Sequence, residues 1–219
     1  ISATGNSSSV TDELQSYFGR VNLTISEKYI VTATLRADGS TKFGGDNKYG
    51  YFPSAAFKWR LIEESFTPEV FSDLNFRVGY GVTGNQEIPH NLYQERQRYG
   101  TSGFNTEGNL NKAGLGSVSF RNEKLQWEST AQVNVGLDFG FFNNRLRGSL
   151  DYYNKNTSDL LIQEMSAQPA AQEFVWKNLD ADVINKGFEL ALEGNIIEKS
   201  SFTWTLIGNV ALNNNEGRN

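Results

Sequence analysis

The side chains best suited to bind a ligand lie in one long stretch without clear periodicity, residues 84–127. Aromatic faces there suit stacking on sugar rings, and guanidinium groups suit anionic or polar ligands. The same aromatic residues could instead pack the loop down or contact a lid protein. The cluster comprises Tyr93, Arg96, Arg98, Tyr99 and Phe104. We take Tyr93, Arg96, Tyr99 and Phe104 as candidate ligand-binding residues that act by contact.

Catalytic and metal chemistry find little support in the sequence. The absence of cysteine excludes disulfides, thiolate metal sites and thiol catalysis. The single histidine, His90, follows Pro89 without evident partners, so we interpret it as a surface loop residue. Segments 38–40 and 45–47 carry oxygen ligands of the kind that Ca²⁺ takes, but they lack EF-hand spacing, and turn chemistry explains them as well. We therefore predict no enzyme activity, no metal site and no cofactor.

Composition limits the class of protein further. The net charge of −5 argues against a nucleic-acid partner. No apolar run approaches the ~18 residues that a transmembrane helix needs, which excludes a helical membrane protein. A transmembrane β-barrel stays possible, because its strands alternate apolar and polar residues. The 21 Gly, 15 Phe and 9 Tyr beside only 4 Pro are typical of strands and turns.

The clearest structural element is a β-hairpin within residues 124–161. Apolar residues alternate with polar residues or glycine from Val133 to Phe141 and again from Leu146 to Tyr153. Asn143-Asn144 lies between them, and Asn tolerates the positive φ of a tight hairpin turn. About nine strand residues extend roughly 30 Å, and at a tilt of about 40° they would cross roughly 23 Å, close to the apolar band of a transmembrane barrel.

The same alternation predicts about eight antiparallel strands in a meander. The connections after the first, third, fifth and seventh strands are short or moderate, whereas those after the second, fourth and sixth are longer, about 14, 45 and 25 residues. Short turns at one end and long loops at the other are typical of outer-membrane barrels. The predicted strands cover residues 17–25, 29–36, 54–61, 74–83, 133–141, 146–153, 186–196 and 202–212.

Two faces follow from the alternation. The predicted polar face holds charges of both signs, as the lumen of a wide barrel would: Lys58, Arg60, Arg77, Asp138, Arg147, Asp151, Glu189 and Glu193. On that face we expect Arg147 to lie diagonal to Asp138 and to pair with it. The residues predicted to face lipid are Phe76, Val78, Val135, Leu137, Phe139, Trp204 and Leu206. The predicted aromatic anchors, at the membrane interface or facing lipid, are Trp59, Trp127, Trp204, Tyr17 and Tyr29.

Five ordered phrases resemble the SusC/RagA-type TonB-dependent transporters of the Bacteroidota outer membrane. They are SYFGRVNLTISEKYIVTATLRADGSTKFG, YGYFPSAAFKWRL, LNFRVGYGVTGNQEI, NEKLQWESTAQVNVGLDFGFFNNRLRGSLDYYNKNTSDLL and NKGFELALEGN. The resemblance covers about residues 16–213, and residues 163–183 depart from the family pattern.

The resemblance implies a fold and a function. The family fold is a 22-stranded barrel with an N-terminal plug, roughly as in other plugged outer-membrane transporters. Residues 1–219 would then be part of one TonB-dependent receptor β-barrel domain, without the plug domain or the remaining strands. The implied function is nutrient uptake, by import of glycans or peptides across the outer membrane. The implied partners are a SusD-like surface lipoprotein, TonB, an oligosaccharide or peptide substrate, and outer-membrane lipid.

Two alternatives stay open from the residues alone. One is a self-contained eight-stranded outer-membrane barrel with a structural or adhesive role. The other is a soluble carbohydrate-binding β-sandwich, which predicts short strands and an apolar second face.

Overall fold

The computed structural model describes residues 9–94, 121–167 and 174–218 in full. Between residues 95 and 120 it describes only the backbone of four short strands. Residues 1–8, 168–173 and 219 lie outside the described part of the chain.

Eight long strands form one antiparallel sheet, as the alternation predicts. Strands that follow one another along the chain are neighbours, except where short loop strands intervene, so the order is β1-β2-β3-β4-β9-β10-β13-β14. Each contains 12 to 18 residues, which is well above the usual length in soluble proteins. Their bounds are β1 Leu14–Ile25, β2 Tyr29–Ser40, β3 Tyr49–Arg60, β4 Phe71–Asn85, β9 Glu128–Phe141, β10 Leu146–Ser158, β13 Asp182–Lys199 and β14 Phe202–Arg218.

Six short strands form pairs within the long loops. In the loop after β4, strand β5 (Arg96–Gly100) pairs with β8 (Gly114–Ser119), and β6 (Gly103–Phe104) pairs with β7 (Leu110–Asn111). In the loop after β10, strand β11 (Leu160–Met165) pairs with β12 (Phe174–Leu179). The alternation predicts no strand between residues 156 and 182, and that prediction is therefore wrong. The reason is that both faces of this short hairpin mix apolar and polar residues, so no clear alternation marks its strands.

The central hairpin has the register that follows from a tight turn centred on the predicted Asn143-Asn144. Leu137 lies opposite Leu150, and Phe139 lies opposite Gly148. Asn143 and Asn144 adopt φ of 56° and 62°, as the turn requires, and Phe142 joins them at 55°. The amide of Arg145 donates to the carbonyl of Phe142 at 3.2 Å and closes the turn. The turn chemistry therefore sets the pairing of β9 with β10.

The sheet has one apolar and one polar face across all eight strands, because paired residues point to the same side. One complete row of the apolar face reads Ile25, Tyr29, Trp59, Phe76, Leu137, Leu150, Leu190 and Val210. All seven residues predicted to face lipid lie on this side. Trp204 and Leu206 are 50% and 59% exposed, so nothing within the described chain covers the apolar face there.

Several strands extend beyond their predicted ends. β2 continues to Ser40 and β3 begins at Tyr49, so the loop between them shortens to residues 41–48 and contains the 3₁₀ turn Gly45–Asn47. β14 continues through the polar residues 213–218. Alternation cannot reveal these extensions: both faces of β14 become polar there, whereas the added part of β3 carries aromatic residues on both faces.

Neither open alternative matches this sheet. Among the described residues, β1 and β14 each have one neighbouring strand and do not pair with each other, so the eight strands do not close into a barrel. A sandwich needs two packed sheets of shorter strands, whereas the long strands here make one sheet. Within the described part of the chain, no helix has the length and hydropathy needed to cross a membrane.

Candidate functional site

The centre of the polar face is an ion-pair cluster built on three strands. Arg77 of β4 donates from Nε and Nη2 to the two carboxylate oxygens of Asp138 on β9, both at 2.8 Å. Arg77 Nη2 also donates to Asp151 Oδ1 on β10 at 2.9 Å. A guanidinium can bind one carboxylate through two parallel bonds and still reach a second one. The cluster therefore ties β4, β9 and β10 together through their side chains.

Gly136 makes room for this arrangement. Arg77, Gly136 and Asp151 form one row across the three strands. A methyl group on Gly136 would overlap Asp151 Oδ1 and lie 2.8 Å from Arg77 Nη2. The guanidinium thus passes over a backbone without a side chain. The same device occurs where Tyr153 reaches across Gly187 and donates to Asn213 Oδ1 at 2.7 Å.

The predicted diagonal position of Arg147 relative to Asp138 on the polar face is confirmed, but the predicted pairing of the two is wrong. Arg147 binds Glu193 of β13 at 2.7 Å, because these residues lie directly opposite each other. Asp138 instead pairs with Arg77, a diagonal neighbour on β4, which is the other strand next to β9. Pairing β4 with β9 brings Arg77 into reach, and a single hairpin cannot show that pairing.

The only cluster of buried apolar residues in the described chain lies at the end of the sheet that carries the long loops. Leu125 and Phe43 are 0% and 2% exposed, and the Phe43 and Trp127 ring centroids are 5.2 Å apart. The cluster joins the loops after β2, β4 and β10, and we call it the loop platform. Its buried members are Phe43, Phe52, Ile88, Leu125 and Trp127, with Val82, Leu92, Leu161 and Trp176 packed against them.

Hydrogen bonds to backbone atoms fasten the platform. The Asn178 side chain accepts from the Gln126 amide at 3.0 Å and donates to the Gln126 carbonyl at 2.9 Å, as a paired strand residue would. It also donates to the carbonyl of Asp159 at 2.8 Å. Asn122 donates to the Trp176 carbonyl at 3.0 Å. The long loops after β4 and β10 are therefore joined in one unit.

Of the candidate ligand-binding residues, Tyr93 is the one whose side chain is described. Its ring lies against Gly44, where a methyl group would overlap the ring, and its hydroxyl accepts from Gln94 Nε2 at 2.8 Å. Arg96 and Tyr99 lie on β5 and Phe104 on β6, but their side chains are outside the described part of the chain. Tyr93 thus packs one long loop onto another, and ligand contact by these four residues stays a prediction.

The prediction of Trp127 as an outward anchor is wrong. Trp127 is 9% exposed, and its Nε1 donates to the carbonyl of Lys48 at 3.3 Å. Odd-numbered residues of β9 point to the apolar face, and continuing that pattern would include Trp127. The strand begins only at Glu128, however, so the alternation does not extend to Trp127. Sequence reasoning missed the whole platform, and the one available signal was the presence of large apolar residues in polar loops.

At the opposite end of the sheet, three side chains donate hydrogen bonds to a single carboxylate. Glu64 accepts from Lys28 Nζ at 3.1 Å and from Tyr29 Oη and Trp59 Nε1 at 3.2 Å each. The hydrogen bond from Lys28, followed by that from Trp59, holds the pKa of Glu64 below its usual range. The turn of residues 61–70 is thereby fastened to the first hairpin. Trp59 and Tyr29 lie on the apolar face, and their role as membrane anchors stays a prediction.

The remaining titratable candidates form no larger site among the described residues. His90 Nδ1 lies 3.1 Å from Asp12 Oδ2, and both side chains are partly exposed. Asp38 is buried and pairs with Arg36 at 2.8 Å. In the described part of the chain, no group of three or more acidic or histidine side chains is arranged around a common metal position.

Comparison with known proteins gives the same family from sequence and from structure. Residues 2–219 match the family described as TonB dependent receptor-like, beta-barrel. The TonB-dependent receptor SusC of Bacteroides thetaiotaomicron is 38% identical over 213 residues, which cover 93% of this chain and 20% of SusC. The TonB-dependent receptor P3 of Formosa agariphila is 35% identical over 206 residues, with 93% and 20% coverage.

A solved structure of the RagAB peptide transporter superposes on this chain with a TM-score of 0.82 and 26% identity, covering 94% of this chain and 22% of the transporter chain. The chain spans about a fifth of the length of these relatives. On the match to the family over nearly its whole length, this chain belongs to the TonB-dependent receptor-like β-barrel family.

Proposed function

We propose that this chain forms part of the wall and three outward loops of an outer-membrane TonB-dependent importer of glycans or peptides. The observation that supports this proposal most is the family membership, combined with a sheet that is apolar on one face and charged on the other. The apolar face contacts lipid, and the polar face lines the lumen. The structural neighbour named as a peptide transporter supports peptides, and the relative SusC supports a receptor role.

The partners in this proposal are those that the family resemblance implies. A SusD-like surface lipoprotein would sit above the long loops, and TonB would act through an N-terminal plug in the longer protein. Residues 1–219 would be one portion of a single barrel domain. The loop platform supports this arrangement, because a rigid core under the loops gives a partner a fixed surface to bind.

The loop after β4 is the proposed contact surface. Tyr93, Arg96, Tyr99 and Phe104 would contact substrate or lid through stacking and charge-assisted hydrogen bonds. This loop would act by contacting the substrate or the lid protein during import, and it would carry out no catalysis.

Shortening this loop in the full-length protein tests the proposal. Arg98 lies opposite Ser117 in the β5–β8 pair, so an Asn-Gly turn can replace residues 99–116 without touching the loop platform. We expect the barrel to assemble in the outer membrane, while uptake of a substrate peptide or oligosaccharide, or co-purification of the lipoprotein, falls. A control variant carries Asn-Gly in the turn Asn143-Asn144 at the other end of the sheet. Unchanged uptake and unchanged lipoprotein binding would contradict the assignment of the loop.

A further inference from the structure

A pocket of about 250 Å³ opens on the polar face between β2, β3, β4 and β9. Ala56 and two glycines, Gly79 and Gly136, line its floor. A methyl group at Gly79 would meet no atom within 4 Å, so the floor there is open space. The pocket exists because small residues occur side by side on adjacent strands.

Hydrogen-bond donors without partners border this pocket. Lys58 forms no ion pair or hydrogen bond with any residue that the structure describes. Arg77 uses Nε and Nη2 for the two aspartates, and its Nη1 donates to no group in the described chain. Asn134 accepts from Gln132 through Oδ1, so its Nδ2 stays available to donate.

The charges at the pocket are unevenly distributed, because both aspartates bind Arg77 and neither binds Lys58. Lys58 lies directly opposite Arg77, and like charges in that position destabilise a sheet. Asp138 and Asp151 approach Arg77 from the β9 and β10 side, away from Lys58. The two aspartates balance the charges of Arg77 and Lys58 in sum, but both contact Arg77, so the ammonium of Lys58 is the one charge beside the pocket without a partner of its own in the described chain.

We propose that this pocket binds a carboxylate between Lys58 and Arg77, with Asn134 as a third donor. A single negative charge matches the one ammonium that has no partner among the described residues, whereas a doubly charged phosphate would be repelled about twice as strongly by the nearby aspartates. The carboxylate has two possible sources. It belongs either to an acidic substrate in passage, a case that rests on the proposed function, or to an acidic side chain of the longer protein that lies in the lumen.

Chemical labelling of lysine in the full-length protein tests the site directly. Acetic anhydride acylates free amines, and mass spectrometry gives the rate at each lysine. Lys155 is the matched control, because it also lies on the polar face and forms no ion pair among the described residues. The probes are N-acetylglutamate amide and N-acetylglutamine amide, which differ only in the carboxylate.

For a substrate site, Lys58 reacts like Lys155 in the resting protein, and only the glutamate probe slows it. A ligand at about twice its dissociation constant slows the reaction about threefold, since only the free fraction reacts. Gly79→Leu, which fills the floor, should abolish this protection. For an internal carboxylate, Lys58 is already protected in the resting protein, and Lys58→Met lowers the unfolding midpoint more than Lys155→Met does.

Two results would overturn the proposal. One is equal labelling of Lys58 and Lys155 under every condition. The other is protection of Lys58 in the resting protein together with equal stability of the Lys58→Met and Lys155→Met variants, which would mean steric shielding alone. Labelling needs no transport, so a loop-shortened protein that fails to import still reports on this site.

Discussion

Gly136 offers the sharpest test of how the polar face is built. We expect Gly136→Ala to disrupt the contact between Arg77 and Asp151 while leaving the backbone of β9 intact. The new methyl group would meet only the ends of flexible side chains, so they can move aside. The φ of Gly136 is not in the left-handed region, and alanine can adopt this strand conformation without strain.

The change in the free energy of unfolding on Gly136→Ala follows from two opposing effects. A glycine-to-alanine change at a compatible position stabilises a protein by roughly 0.4–1 kcal/mol, because it restricts the unfolded chain. Against this, the ion pair is worth at most about 1 kcal/mol, since the Arg77 side chain is 39% exposed. Pushing Arg77 and Asp151 out of their preferred rotamers costs about 0.5–1.5 kcal/mol more.

Gly81→Ala is the matched control. Gly81 also lies on the polar face, and a methyl group there would meet its nearest atom, Ser54 Cβ, at an ordinary 3.5 Å. We expect Gly136→Ala to be less stable than Gly81→Ala by about 1 kcal/mol. Urea-induced unfolding of the full-length protein from lipid vesicles, followed by tryptophan fluorescence, measures the difference.

A double-mutant cycle separates the ion pair from other effects. Asp151→Ala removes the carboxylate and the nearest of the atoms that the new methyl group would overlap, but the Arg77 guanidinium stays 2.8 Å from it. In that background, the difference between Gly136→Ala and Gly81→Ala should shrink to the cost of moving Arg77 alone, about 0.5 kcal/mol. Equal stability of the two glycine variants in the native background would refute the inference that Gly136 is there to let the guanidinium pass.

Three further expectations follow from the same structure. Trp127→Ala should destabilise the loop platform by about 3–5 kcal/mol and increase proteolysis within the long loops, whereas Trp204→Ala on the apolar face should not. Because folding lowers the pKa of Glu64, the stability that its charged form contributes is complete above about pH 4.5, the ordinary value, and is lost as the pH falls through the lowered pKa. Glu64→Gln should therefore make the unfolding midpoint depend less on pH in the acid range. A nitroxide at Leu137 should report lipid and one at Asn134 should report water; the opposite pattern would mean that the register of β9 is shifted by one residue.

The sequence predicts the strands and their faces because one physical rule decides both. A strand between lipid and water must alternate with a period of two, and the alternation is strongest from Val133 to Phe141. The register of β9 with β10 also follows locally, from the turn at Asn143-Asn144. Where the turn is short, neighbouring strands and their partners can be derived from the residues alone.

The loop platform and the Arg77 cluster could not be derived in this way. Trp127 contacts the carbonyl of Lys48, a residue 79 positions away, and no periodicity connects the two. Arg77 reaches Asp138 only because β4 pairs with β9 across a loop of more than forty residues, so the contact depends on the order of strands and on the twist of the sheet. Contacts of this kind can be found only once the order of the strands in the sheet is known.

The ends of the strands connect the two parts of the molecule. On β14 the outward residues are apolar from Phe202 to Leu212, about 33 Å of strand, which at a tilt of about 40° crosses about 25 Å. The six polar residues 213–218 continue to pair with β13 beyond that band, and on β13 the outward side changes from Phe188 to Lys186 at the same level. We infer that the strands leave the membrane still paired and extend into water. That paired extension explains why the loop platform can form a core of its own: the sheet brings the loop ends together before the loops themselves begin.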